Sequence, residues 1–273
     1  MTTSLVYNIP AKLIETYRGH NLIVRSFSSF ELANCFLRAD ITDIRFAQLL
    51  SVESDTSALE GSGEGIPLEI FLEDPEQYHQ LYRFVNLLDS HPVRIAIPVV
   101  AGFSDAVKQA SSLDFCVKLE LFQPAESLID ELEFVLDLYL HRIYIRQPID
   151  FFQTTLLSFY RDEPVSLWQI AEENPEQVRY ITDEGEETIS KRFVGARIEG
   201  EIGNFTERFS QKLISERREC HECEFFNRCN GYFKWPDRNY RCDGIKRIFH
   251  TLKRATQEVR QDLAAYDALE VQA

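Results

Sequence analysis

Short apolar runs alternate with amphipathic stretches through the first half of the chain. This pattern predicts strands at 21–27, 68–72, 92–100, 114–122 and 142–146, with helices at 31–38, 75–89, 104–112 and 127–141. The segment 41–50 fits either a helix or a strand. Strands that alternate with helices are typical of right-handed βαβ units and a parallel sheet. The sequence therefore predicts an α/β fold. Five strands favour a partial parallel (βα) barrel, since a closed eight-stranded barrel takes about 250 residues.

The pattern changes after residue 147. A helix at 149–160, a short helix at 165–172 and strand-like runs at 178–182 and 193–199 form a bridging segment. An amphipathic helix at 204–218 leads into a cysteine-rich stretch, and a long terminal helix follows at 244–268. We therefore divide the chain into a barrel domain (1–147), a bridging segment (148–203) and a small cysteine-rich domain with the terminal helix (204–273).

The charge distribution narrows the possible partners. The formal net charge is −15, which argues against nucleic acid as a partner because phosphate backbones attract positive surfaces. Residues 211–262 carry 12 Lys and Arg against 8 Asp and Glu, an excess of +4. This predicts a basic tail that either binds an acidic peptide or protein partner or is simply solvated. The chain contains no apolar run long enough for a membrane span and no targeting signal, so we expect a cytoplasmic protein without a membrane partner.

Four of the six cysteines lie within 23 residues: Cys220, Cys223, Cys229 and Cys242. Thiolates grouped this closely are typical of a metal site or an iron–sulfur cluster, and Cys-x2-Cys is the turn that lets two sulfurs converge. Three interpretations remain open: four unrelated core cysteines, a structural Zn²⁺ site, or one [4Fe-4S] cluster. The other two cysteines, Cys35 and Cys116, stand alone among apolar residues and are predicted to be core residues.

The order Cys-x2-Cys-x5-Cys followed by a lone cysteine resembles the C-terminal SPASM domain of radical S-adenosylmethionine enzymes that modify peptides and proteins. The resemblance implies that Cys220, Cys223, Cys229 and Cys242 are the ligands of one auxiliary [4Fe-4S] cluster. The family's next cysteine, which serves a second auxiliary cluster, would fall at Phe233, and its earlier Gly-x4-Cys ligand has no counterpart. The resemblance thus implies one retained cluster and one lost cluster.

The barrel of that family carries a Cys-x3-Cys-x2-Cys motif after its first strand, where this chain has Cys35 alone. At the family's Gly-Gly-Glu-Pro motif it reads Leu72-Glu73-Asp74-Pro75. We therefore expect neither S-adenosylmethionine binding nor radical chemistry. The resemblance implies an accessory role: binding a peptide substrate or partner enzyme during peptide or cofactor maturation. Two roles of the cluster remain open, relay of electrons or a purely structural one.

Two alternatives belong to other functional classes. The first is a zinc-stabilised interaction protein without a redox role. The second is an enzyme with an active site elsewhere at the carboxyl ends of the strands. The candidates for that site are Glu73, Asp74, the loop 101–105 and Gln123.

Overall fold

The computed structural model describes residues 5–38, 40–142 and 145–270, with side chains to residue 266. Its centre is an eight-stranded sheet in the order β6-β5-β4-β3-β2-β1-β7-β8, parallel except for the β7–β8 pair. This confirms the predicted α/β class. The strands are β1 (Val6–Pro10), β2 (Asn21–Ser26), β3 (Ile44–Leu49), β4 (Leu68–Phe71), β5 (Val93–Pro98), β6 (Cys116–Glu120), β7 (Val178–Ile181) and β8 (Glu187–Thr188).

Nine α-helices connect or follow these strands in the part of the chain described. They are α1 (Ser29–Arg38), α2 (Ser57–Glu60), α3 (Phe103–Ser112), α4 (Glu126–His141), α5 (Asp150–Tyr160), α6 (Leu167–Ile170), α7 (Phe205–Ser215), α8 (Phe226–Cys229) and α9 (Asp243–Glu270). The predicted helix at 75–89 is present with 3-10 geometry, as Pro75–Asp89. No helix in the described ranges is both long enough and apolar enough to cross a membrane.

One local prediction is wrong, and one open alternative is resolved. The ambiguous segment 41–50 contains strand β3. The strand predicted at 193–199 is wrong: Phe193 ends the 3-10 turn Lys191–Phe193, and residues 194–199 continue as a turn and irregular chain. The partner of β7 is instead β8, formed across the turn at Asp183, Glu184 and Gly185. The strand predicted at 142–146 includes residues 143 and 144, which lie outside the described residues.

The apolar core runs without interruption from the sheet into the cysteine-rich segment. It includes Ile95 of β5, Phe152 of α5, Phe225 before α8 and Phe249 of α9. Helix α9 packs on α4 and α5, and α5 packs on β6. Gly244 in the first turn of α9 permits the close approach to α4, because a Cβ there would lie 2.5 Å from Cγ1 of Ile129. The cysteine-rich segment is therefore held against the sheet through α5 and α9.

Candidate functional site

All four clustered cysteines line one small cavity, which we call the cysteine cavity. Cys220 and Cys223 lie in the turn between α7 and α8, Cys229 is the last residue of α8, and Cys242 immediately precedes α9. All four are free thiols. The turn between the first two is closed by the Cys223 N–H, which donates to the Cys220 carbonyl at 3.4 Å. The remaining walls are mainly apolar: Phe225, Phe226, Phe233, Ile245 and Phe249.

The backbone after α8 turns sharply and brings N–H groups to a sulfur. Asn230 and Gly231 both have left-handed backbones, with φ of 47° and 75°. The N–H groups of Gly231 and Phe233, which follow, act to lower the pKa of the Cys229 thiol. Such N–H donors stabilise a thiolate and are typical of sulfur ligands to iron. Phe233, at the position where the resembling family has another cysteine, is fully buried and forms a wall of the cavity.

Burial dominates the acidity of the thiols. It raises the pKa of Cys229 to about 11 and that of Cys242 to about 12, and neighbouring cysteines add to both shifts. Burial also raises the pKa of Cys220, against the lowering effect of the nearby Lys234 ammonium. The metal-free thiols of Cys220, Cys229 and Cys242 therefore stay protonated at neutral pH. Loading a metal or cluster has to displace protons and becomes more favourable as pH rises.

Two ammonium groups border the cysteine cavity. Lys234 is 5% exposed, and its Nζ is 2.6 Å from Oε2 of Glu219. Lys246 of α9 is also 2.6 Å from Glu219, through Oε1. One carboxylate thus holds two cations in place beside the sulfurs. Four thiolates around a cluster carry net negative charge, which nearby cations offset in a buried environment.

Four cysteines are the residue type that binds a metal or cluster through sulfur, but the geometry differs from a formed site in two respects. The cavity has a free volume of only about 20 Å³, so loading has to move the surrounding side chains apart. Among residues 5–38, 40–142 and 145–270, no three His, Cys, Asp or Glu side chains are placed to hold a single metal ion. The four thiols are thus neighbours around a common space without forming a closed single-ion site.

Gln123, one of the candidates for a separate active site, fastens the cysteine-rich segment to the rest of the protein. Its Nε2 donates to the carbonyls of Phe233 at 2.9 Å and Asp237 at 2.8 Å. The Tyr240 hydroxyl adds a bond of 2.8 Å to the Pro124 carbonyl. These bonds assign Gln123 a structural role.

The other candidates from sequence do not come together as an active site. Asp74 caps the helix Pro75–Asp89 by accepting from the Glu76 N–H at 2.9 Å. In the loop 101–105, the Ser104 N–H donates to Glu131 at 2.9 Å.

The two lone cysteines differ in burial. Cys35 is buried in α1, as predicted, and its Sγ lies 3.7 Å from the Ala11 carbonyl. Cys116, which was also predicted to be a core residue, is only half-buried at the start of β6.

The cations of the tail bind carboxylates, several of them on the body of the protein. Arg247 contacts three carboxylates of α4 at 3.0–3.6 Å, and Arg260 lies 2.7 Å from Asp162. Lys253 is 2.7 Å from Glu224 within the tail. Many cations of the predicted basic tail therefore form ion pairs. Arg247 and Arg260 pair with carboxylates of the acidic body, so they hold the tail against the body and do not form an open basic surface.

A row of polar side chains crosses the apolar strands, and the hydrophobic pattern did not reveal it. Arg25, Gln48, Glu69 and Arg94 are paired in register across β2, β3, β4 and β5. Lys118 of β6 extends the charge cluster at one end, through Glu69 at 3.6 Å. The available signal was that charged or amide residues recur inside the apolar strands. Burying such residues is costly unless they contact one another.

Comparison with protein-family models, with curated proteins and with solved structures found no match to this chain.

Proposed function

We propose that the protein is an accessory iron–sulfur protein that binds one [4Fe-4S] cluster through Cys220, Cys223, Cys229 and Cys242. In this proposal a SPASM-like segment carries the cluster and a partial parallel (βα) barrel forms the body. The observation that carries the proposal is that all four thiols line one cavity. Four thiolates are the usual ligand set of such a cluster.

The surroundings of the sulfurs support a cluster. The aromatic walls limit access of water, the N–H groups of Gly231 and Phe233 act to lower the pKa of Cys229, and Lys234 and Lys246 supply positive charge. These are the features by which a protein stabilises a bound cluster and sets its potential. When bound, the cluster would supply one-electron transfer or would brace a segment that has little core of its own.

The proposal assigns no radical chemistry to the barrel, because Cys35 is the only cysteine in the loop that would need three. Its accessory role is to bind a peptide substrate or a partner enzyme in peptide or cofactor maturation. Electron relay is supported by the position of Cys223, which is half-buried next to the exposed His221 and Glu222. In this proposal a partner's redox centre would approach the cysteine cavity from this side.

The test is to purify the full chain anaerobically and measure iron, acid-labile sulfide and zinc per chain. We expect a brown protein with iron and sulfide in equal amounts, and a paramagnetic signal after reduction. Cys223→Ala should abolish loading, and Cys35→Ala is the matched control because that cysteine is buried in α1, outside the cysteine cavity.

Each contrary outcome has a definite meaning. A colourless protein with one zinc per chain would replace the cluster by the structural zinc site. Equal loss of metal in the two variants would show that the ligand set is wrong. If anaerobic reconstitution with iron and sulfide leaves the wild-type chain without metal, the proposed centre does not exist.

A further inference from the structure

A second and much larger cavity lies on one face of the sheet, and we call it the central cavity. Its volume is about 580 Å³, within the range of small-molecule binding sites. Ser26, Phe71 and Glu120, the last residues of β2, β4 and β6, all line it. It therefore opens at the carboxyl ends of parallel strands, where α/β proteins bind their ligands.

A chain of hydrogen bonds fixes the floor of the central cavity. Arg25 donates to the Asn8 side chain at 3.0 Å, and Asn8 donates to Gln48 at 2.9 Å. Gln48 in turn donates to Glu69 at 2.6 Å. Each of these side chains comes from a different strand, and all of them line the cavity. Because the bonds orient the side chains before any ligand arrives, the floor is preorganised for recognition.

Carboxylates outnumber cations at the β6 side of the central cavity. Among the described residues, Lys118 is the only cation within ion-pair distance of Glu120. It is shared among three carboxylates: Glu172 at 2.9 Å, Glu120 at 3.4 Å and Glu69 at 3.6 Å. Its shortest contact is with Glu172. The Glu120 carboxylate therefore keeps a single long ion pair within the described residues.

The neighbouring cation does not correct this imbalance. Arg94 lies 2.5 Å from Glu69 and 2.9 Å from Glu172, and it also holds Asp150 at 2.9 Å. Glu120, Glu69, Glu172 and Asp150 thus share the two charges of Lys118 and Arg94. A carboxylate with so few partners in a buried environment is costly unless another cation compensates it.

An unpartnered hydroxyl lines the same cavity. Ser190 is 7% exposed, and its Oγ has no hydrogen-bond partner in the described part of the chain. Buried hydroxyls are normally bonded, so an orphan beside a cavity indicates a partner that the chain itself does not supply. The rings of Phe71 and Tyr180 provide apolar walls between the polar groups.

We propose that the central cavity binds a primary alkylammonium group, with Glu120 as its counter-ion and Ser190 as a hydrogen-bond acceptor. The ammonium group would belong either to a free small amine or to a lysine side chain of a bound peptide. Three donors on one nitrogen match several acceptors at once, and the alkyl chain matches the apolar walls. The inference does not depend on the proposed cluster, since none of the four clustered cysteines lines the central cavity.

The test is isothermal titration of the full-length protein, as purified, with two ammonium probes. Cadaverine represents a free amine, and N-acetyl-lysine amide represents a lysine side chain of a peptide. Pentanediol and the Nε-acetylated lysine derivative are their uncharged counterparts. We expect saturable binding of at least one ammonium probe, no binding of its uncharged counterpart, and about tenfold or greater weakening in Glu120→Gln, as for a hydrogen-bonded charge.

The matched control is Glu258→Gln, which removes the same negative charge at an exposed position of α9. This variant should bind the probes like the wild type. Binding of cadaverine alone would identify a small amine, and binding of the lysine derivative alone would identify a peptide side chain. The proposal is overturned if neither probe binds the wild type or if the uncharged counterparts bind equally well. Unchanged affinity in folded Glu120→Gln overturns it too. The comparison of charged and uncharged probes needs no variant, so it stands even if Glu120→Gln fails to fold.

Discussion

Replacing Gly231 by alanine tests whether the turn after α8 builds the cysteine cavity. Gly231 has φ of 75°, and a Cβ at this position would lie 2.3 Å from Cδ1 of Leu213 and 3.4 Å from Cε1 of Phe209. Both neighbours are buried side chains of α7. The substitution therefore combines backbone strain with a steric overlap, at a residue whose N–H acts to lower the pKa of Cys229.

The two contributions can be estimated separately. An L-residue in the left-handed region costs about 1 kcal/mol relative to glycine. Overfilling a packed region costs about 1–3 kcal/mol more. Gly231→Ala should thus lower the free energy of unfolding by about 2–4 kcal/mol. Gly185→Ala is the matched control, since its φ is 88° and no atom lies within 4 Å of the added Cβ. It should cost about 1 kcal/mol.

The assay is urea unfolding followed by circular dichroism, together with iron content per chain. We expect Gly231→Ala to lose both stability and loading and Gly185→Ala to keep its loading. Adding Leu213→Ala to Gly231→Ala should cost less than Leu213→Ala costs in the wild type, because it removes the overlapping atom. Equal destabilisation by the two glycine substitutions, or strictly additive effects of Gly231→Ala and Leu213→Ala, would refute the packing of the turn on α7.

Three further predictions concern the ion pairs. Arg94→Met should destabilise the protein by about 3 kcal/mol or more in urea unfolding, because it strands buried carboxylates. Burial acts to raise the pKa of Glu172, but Lys118 and Arg94 outweigh it and hold that pKa at about 2. The ionised Glu172 thus contributes stability above the unfolded pKa of about 4.3, which is lost as pH falls towards 2. In Glu172→Gln the free energy of unfolding should therefore depend less on pH across that window. A pH dependence equal to that of the wild type would contradict the pairing of Glu172 with Lys118 and Arg94. Arg247→Ala, by contrast, should cost less than about 1 kcal/mol, and less still in high salt, since its three ion pairs on α4 are exposed.

The fold class could be predicted because buried parallel strands are continuous apolar runs separated by amphipathic helices. The first strand was missed because β1 includes the polar Asn8 and ends at Pro10. It nevertheless lies between β2 and β7 within the sheet. The strand wrongly predicted at 193–199 has apolar residues that suit a strand, but no partner strand lies alongside it among the described residues. Pairing is decided by tertiary structure, which local propensity does not contain.

Sequence spacing predicted the residues of the cysteine cavity better than those of the central cavity. Cysteines are rare, so four in 23 residues stand out without any knowledge of the fold. Glu69 and Lys118, in contrast, each looked like an isolated polar residue in an apolar strand. Their meaning depends on the strand register, which places Glu69 opposite Arg94 and brings Lys118 to the same cluster. Charged residues that recur inside successive parallel strands are therefore better interpreted as one interacting group than as unrelated buried charges.

Arg192 connects the walls of the two cavities. It lies 2.7 Å from Glu173, which lines the central cavity, and its guanidinium is 4.4 Å from the ring centre of Tyr232. Tyr232 precedes Phe233, a wall of the cysteine cavity. Contact with both walls does not by itself couple the two cavities. They are coupled only if binding in one cavity changes the free energy of binding in the other. By linkage, if occupation of the central cavity by an ammonium probe changes the affinity for metal, then metal loading has to change the affinity for that probe by the same factor. Titrating cadaverine into the metal-loaded and the chelated protein measures that factor from one side, and equal affinities would show that Arg192 joins the two cavities structurally without coupling them.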